Sequence, residues 1–199
     1  MRNYYVAGLL FLIVGLIACQ SELAIKDVTG RVTSSVHIKK EGVGTSTTAE
    51  PDHSGARDAT MALQLEVLTY VNQARSQTCL CGSTVYPAVT LLTLNSRLNG
   101  ASDKYAVDMA TYNYFSHTGR DGSQPWDRMT TEGYVWSSAG ENIAAGYPTA
   151  RSVVDAWLSS TIHCQNIMNP DYRNLGVGYS YNSKSTFKHY WVTDFGTRQ

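Results

Sequence analysis

Val177-Gly178-Tyr179-Ser180-Tyr181, the polar Asn182-Ser183-Lys184-Ser185 and the run from Phe187 to Phe195 together decide the fold class. In the first segment Val177, Tyr179 and Tyr181 alternate with small or polar residues, and the last segment continues the alternation. A period of two puts one set of side chains on a single face of a strand. Two such runs joined by a short polar turn predict a β-hairpin.

Upstream the period lengthens. Leu65, Leu68, Val71 and Asn72 recur at helical spacing in a stretch ending near Arg75. From Asn95, a good N-cap, to Tyr114, the residues Leu98, Ala101, Tyr105, Met109 and Tyr112 fall three and four apart and predict one buried stripe. Ser123 and Pro125 open a short third helix that Gly133 stops. A fourth covers about Ala150–Ser159, with Val153, Val154 and Trp157 turned inward. A short strand is expected near Asn142–Ala144. Helices first and strands last imply an α+β fold, helices packed on a mostly antiparallel sheet.

The first residues carry no fold signal. An uncharged run from Asn3 to Ala18 follows Arg2 and ends in Leu16-Ile17-Ala18-Cys19. It falls short of the about 20 apolar residues that span a bilayer and reads as a secretory signal. Its ending resembles the bacterial lipoprotein box. That resemblance implies that residues 1–18 are removed and that Cys19 becomes the lipidated first residue, with palmitate-like acyl chains as membrane anchor. The alternative is an ordinary signal cut near Ala18. Gln20, which is not Asp, resembles outer-membrane sorting in Gram-negative lipoproteins. Residues 19–57 read as a flexible tether, because Gly42–Ala56 is dense in Gly, Ser, Thr and Ala and offers little surface to bury. Val28, Val32, Val36 and Ile38 leave room for one short strand within it. The folded head is expected over residues 58–199.

Sixteen basic side chains balance sixteen acidic ones, so no net field draws the chain onto nucleic acid. Four cysteines are present, at 19, 79, 81 and 164. Outside the cytoplasm disulfides persist. Cys79 and Cys81 are too close to bridge each other without strain, so Cys164 is expected to pair with Cys79 or Cys81, leaving one thiol over. A zinc site from Cys79, Cys81, His163 and Cys164 is a weaker alternative, since Cys-x-Cys is not a usual structural zinc spacing.

Four blocks place ionisable residues at the edges of apolar elements: Tyr114-Phe115-Ser116-His117-Thr118-Gly119, Gly140-Glu141-Asn142-Ile143-Ala144-Ala145-Gly146, His163-Cys164-Gln165-Asn166-Ile167-Met168-Asn169-Pro170, and Tyr190-Trp191-Val192-Thr193-Asp194-Phe195-Gly196. Taken in order, they resemble the CAP superfamily of cysteine-rich secretory, venom-antigen and plant pathogenesis-related proteins, most nearly its bacterial branch, over about residues 61–197. The resemblance implies an α-β-α sandwich with a cleft lined by His117, Glu141 and His163. Many eukaryotic members add a second glutamate three residues after the fourth-helix tryptophan; here Ser160 follows Trp157 at that spacing.

Two imidazoles and a carboxylate form a ligand set for zinc or a similar divalent ion. Nitrogens within about 4 Å would share one ion at about 2.0–2.1 Å. The same trio would serve as candidate catalytic residues, Glu141 orienting one imidazole. Without a metal, they form a structural hydrogen-bonded cluster. Ser116, Ser159 and Ser160 lack the Gly-x-Ser-x-Gly elbow of a serine hydrolase. Asp194 faces either the cleft or solvent. His189 is expected to be a packed or surface residue, and His37 and His53 fall in the tether.

These readings leave three functions. One is a binding module of the bacterial cell envelope for a lipid-like, glycan or protein ligand. Another is a metal-dependent hydrolase or protease using the His/Glu/His cleft. The last is a structural envelope protein with a vestigial site. For the anchor, mass spectrometry of the mature chain is expected to find a diacylated Cys19 at its start, two acyl chains giving stable attachment where one is marginal; any other N-terminus defeats the reading.

Overall fold

The computed structural model describes residues 54–199, with side chains from Thr60 onward. Cys19, His37, His53, the signal and the strand expected near Ala24–Ile38 lie outside the described residues. Within them the order is α1 (Ser54–Arg75), β1 (Cys79–Cys81), β2 (Thr84–Tyr86), β3 (Thr93–Leu94), α2 (Ser96–Tyr112), α3 (Pro125–Thr131), β4 (Trp136–Ala145), α4 (Ala150–Ser159), α5 (Thr161–Ile167), β5 (Asn174–Tyr181) and β6 (His189–Arg198).

The hairpin expected from the alternating runs is β5–β6, closed at Tyr181↔His189. β4 adds antiparallel to β6, and β3 joins β5 in parallel, giving the order β3-β5-β6-β4. β4 is far longer than the strand expected at Asn142–Ala144. Its first half, Ser137-Ser138-Ala139-Gly140, has too few apolar residues to show a period. The short β1, β2, β3 and α5 left no readable pattern either.

The expected sandwich is present, and β6 shows why. Its odd residues Trp191 and Phe195 join Leu175 and Val177 of β5 in a core with Val71 of α1, Trp157 of α4 and Ile167 of α5. Its even residues Tyr190 and Val192 join Ile143 and meet Tyr105, Ala106 and Met109 of α2 on the other face. α2 lies flush on β5, because a Cβ at Gly176 or Gly178 would collide with the backbone of Leu98 or Ser102.

Helix ends follow local chemistry. The Asn95 side chain accepts from the N–H groups of Arg97 and Leu98, and Asn113 closes α2 in the left-handed region at φ 54°. Gln124 and Asp127 form a capping box at α3, with Pro125 at its start. Two expectations need correction. α1 begins at Ser54, inside the stretch assigned to the tether; beyond Gly55, Ala56, Ala59 and Ala62 have good helix propensity. Tyr112 is not in the buried stripe but 55% exposed at the end of α2, its ring lying 3.4 Å beneath the Arg120 guanidinium.

The disulfide joins Cys81 to Cys164, Cα atoms 5.4 Å apart, so of the two candidate partners Cys81 is the one used. Cys79 is buried, its Sγ 3.5 Å from the Ala74 carbonyl oxygen. With Cys81 and Cys164 bonded to each other, the zinc site built from them is lost. Arg75 is fully buried and donates to the carbonyls of Thr90, Ile167, Asn169 and Tyr172, clamping the β2–β3 connection to the α5–β5 connection. The bridge closes a loop across 83 positions. On the chain-entropy model Cys164→Ser should cost roughly 3–5 kcal/mol, read as a lower urea midpoint than the oxidised wild type.

Candidate functional site

β4 is an edge strand with alternating faces: Glu141 points to the α2 side and Asn142 to the side of α5. Glu141 is buried, its side chain 1% exposed. Its Oε1 lies 2.6 Å from His117 Nδ1 and its Oε2 2.7 Å from an Arg128 Nη2 donor. The same guanidinium donates to the carbonyls of His117 and Ser123 and lies 3.4 Å over the Tyr105 ring. Tyr105 in turn donates its hydroxyl to Ser116 O at 2.6 Å. The His117 loop is thus held from below by α2 and α3. With Nδ1–H on the carboxylate, Nε2 is the free nitrogen of a half-exposed ring.

His163 is reached differently. Asn142 donates to His163 O at 3.1 Å, and Asn166 donates to both Glu141 O and Asn142 Oδ1. This pair of amides stitches α5 onto β4 beside the carboxylate. At Gly140 a Cβ would strike the Tyr172 hydroxyl, so the stitch leaves room only for glycine there. Burial first, and the nearby His117 second, lower the His163 pKa from its ordinary value. The two imidazoles are therefore neighbours, yet among the described residues the His163 ring makes no hydrogen bond.

The structure does not assemble His117, Glu141 and His163 as a metal-ligand set. Among the described residues no three His, Cys, Asp or Glu side chains are grouped to hold an ion. The physical reason is Arg128, whose positive charge already occupies the second oxygen of Glu141. Ser160, at the position of the second acid, caps α4 through its backbone N–H to Trp157 O and supplies no carboxylate. With one oxygen on His117 and the other on Arg128, Glu141 is not free to ligate an ion as it stands. Ser116 Oγ accepts from Thr118 N and Ser159 Oγ donates to Asp155 O, so neither is paired with a histidine as a nucleophile. His189 is a packed residue, 2.8 Å from the Tyr179 hydroxyl and flanked by the Tyr179 and Tyr181 rings.

Asp194 belongs to this site, on the cleft side rather than in solvent, with its carboxyl buried beneath it. It sits directly opposite Glu141 in the β4–β6 register and is 2% exposed. The Ser102 hydroxyl donates to its Oδ2 at 2.8 Å, while Oδ1 has no partner. Burial first, then the charge of Glu141, push its pKa well above the usual carboxylate range. That favours a neutral acid at Asp194. The signal was available in the alternation of β6, but the identity of its partner strand was not. Beyond Arg128 opens a cavity of about 490 Å³, between α2, α3 and the turn at 119–123, with Lys104, Asp108, Arg120, Asp121 and Glu132 in its wall. Lys104 pairs with Glu132 at 2.5 Å, and Arg120 approaches Asp108 at 3.9 Å.

The lowered His163 pKa has a sign. In the window below 6.5 the unfolded chain binds a proton that the native imidazole resists, so stability rises with pH and is lost as pH falls. The stability difference between wild type and His163→Gln, from urea unfolding, should therefore be more favourable to wild type at pH 7.5 than at pH 5.5. An unchanged difference would overturn the assignment.

Comparison with known proteins agrees with this architecture. The protein YkwD of Bacillus subtilis, itself uncharacterised, is 39% identical over 88 residues, covering 44% of this chain and 34% of YkwD. The uncharacterised membrane protein YlbC of the same organism is 41% identical over 75 residues, 37% of this chain and 21% of YlbC. The chain thus spans about a third or less of these curated relatives. Among solved structures, an extracellular SCP-domain protein of Bacillus anthracis superposes with TM-score 0.59 at 24% identity, over 77% of this chain and 45% of that one. An outer surface protein of Borrelia burgdorferi gives 0.53 at 19% identity, over 74% and 96%. These two likenesses bear on the fold. The model of the CAP, or cysteine-rich secretory protein, family matches residues 68–195, and this chain belongs to that family.

Proposed function

We propose that the head is an extracytoplasmic binding module, held to the cell envelope through a lipidated Cys19, whose site at Glu141 recognises a polar ligand without cleaving it. The observation that carries this reading is the commitment of both Glu141 oxygens, one to His117 and one to Arg128, in a buried and preformed arrangement. Such a site offers fixed hydrogen-bonding groups at its mouth and no activated nucleophile. The adjoining cavity sets charged side chains around a mainly apolar surface, which suits a glycan or a peptide segment of another envelope protein that presents both polar and apolar groups. The extracellular and outer-surface descriptions of two fold relatives accord with this placement. Among the described residues no helix is long and apolar enough to cross a membrane; the anchor reading rests on the Leu16-Ile17-Ala18-Cys19 ending alone.

A hydrolytic reading is supported by one feature, the imidazole–carboxylate pair with a free Nε2, which is the geometry of a general base. A zinc-dependent version requires Arg128 to vacate Glu141. Calorimetry with soluble cell-wall glycan fragments and peptides separates the readings. The expected result is binding that weakens about tenfold in His117→Ala or Arg120→Ala, ligand recovered intact by mass spectrometry, and no histidine-dependent uptake of zinc. Product that accumulates with wild type and not with His117→Ala would establish the hydrolase instead.

A further inference from the structure

Three elements end at one pole of the sandwich. α2 runs along β5 from Gly176, against Leu98, to Asn182, which donates to Ala110 O at 2.8 Å. The C-terminal end of α2 is therefore level with the β5–β6 turn. α1 runs in the opposite sense: Arg75 donates to Tyr172 O and Gln64 to Val177 O. From Gln64 back to Ser54 the helix rises about 15 Å, while β5 advances about 13 Å from Val177 to Tyr181. The chain that carries Cys19 thus enters the head at the pole where the hairpin turns.

That pole exposes large aromatic rings. Tyr112 and Tyr181 are each 55% exposed, and Phe115 and Phe187 each 45%. Phe115 and Phe187 meet edge to face at 6.1 Å, and Phe187 meets Tyr190 in the same way. The turn is pinned rather than loose: Thr186 N–H donates to Asn113 Oδ1 at 2.7 Å, and the Tyr190 hydroxyl donates to the same oxygen. Residues 182–188, Asn-Ser-Lys-Ser-Thr-Phe-Lys, hold two lysines and no acid, and both lysines are exposed. Lys188 is held in the left-handed region at φ 63°, where glycine would be relaxed.

Exposed Tyr and Phe rings with lysines among them match the water–lipid boundary, where rings bury an apolar body beside polar groups and cations meet anionic headgroups. We propose that this pole, through Tyr112, Phe115, Tyr181, Phe187, Lys184 and Lys188, docks on an anionic bilayer surface. The docking orients the head on the membrane that its tether reaches. The proposal takes its choice of partner from the anchor reading at Cys19, but its test reads the turn directly.

The full chain, purified from membranes, is mixed with vesicles of phosphatidylcholine alone or with one quarter phosphatidylglycerol. Amide hydrogen exchange is followed by mass spectrometry. Peptides covering 182–188 and 112–116 should exchange about fivefold more slowly on the phosphatidylglycerol vesicles than on the neutral ones. A variant carrying K184E, F187S and K188E should lose that difference, while peptides from Leu98 to Met109 keep their wild-type protection and so report an intact fold. Equal exchange of the wild-type turn on both vesicles overturns the docking surface, whether or not Cys19 bears acyl chains. The intact mass of the N-terminal peptide tests the anchor separately, and an unacylated Cys19 with a protected turn would leave the docking surface standing alone.

Discussion

The arrangement of the site depends on the ion pair between Arg128 and Glu141. Both side chains are withdrawn from water, 13% and 1% exposed. A buried charge pair holds because each partner satisfies the other, and removing one leaves an uncompensated charge that typically costs about 3–5 kcal/mol. Arg128 spreads this constraint over four parts of the chain: its own helix α3, the strand β4, the His117–Ser123 loop whose carbonyls it binds, and the Tyr105 face on α2. The His117 ring is placed because its backbone and its carboxylate partner are both held by one guanidinium.

The same pair explains the chemistry of the cleft. Glu141 is flanked by a cation and a histidine, and it faces a second carboxyl across the sheet at Asp194. Two buried acids side by side do not both ionise readily, and the one farther from the guanidinium is disfavoured as the anion. Ser102, on the helix lying flush against β5, satisfies one oxygen of Asp194. The consequence is a site whose charge is balanced within the protein. A divalent ion would have to displace Arg128 or His117 before Glu141 could serve as one of its ligands. A neutral or polar ligand faces no such competition, because the free imidazole edge of His117 and the charged cavity wall are already exposed.

Other contacts hold the frame around that hub. The Cys81–Cys164 bridge fastens the β1–β2 hairpin to α5, Arg75 ties the β2–β3 and α5–β5 connections together at the far end, and Asn142 with Asn166 keeps α5 against β4. The pole opposite Arg75 is built differently. There the helix ends and hairpin turn are pinned by a few polar bonds around Asn113, and the aromatic rings stay in solvent. The two ends of the sandwich thus differ: one is closed by buried contacts of Arg75 with backbone carbonyls, the other leaves aromatic rings exposed.

The sequence alone determined what local periodicity and short motifs encode. The alternation in Val177–Tyr181 and Phe187–Phe195 predicted the hairpin, helical spacing located α2 and α4, Asn95 and Pro125 marked helix starts, and the four ordered blocks pointed to the family and to His117, Glu141 and His163. It did not reveal β1, β2, β3 or α5, which are too short to show a period, nor the first half of β4, whose small residues hide one. Nor did spacing decide between Cys79 and Cys81, since that choice depends on how a hairpin meets a distant helix. Above all, Arg128 became a site residue only in three dimensions, and only there was Asp194 placed at the cleft rather than in solvent. Arg128 reads as an ordinary charge on a short amphipathic helix and Asp194 as one more polar position on a strand. Their roles come from strand register and from helix packing against the sheet. Those nonlocal contacts decide which charges are buried together, and hence that an arginine meets the carboxylate expected to hold a metal.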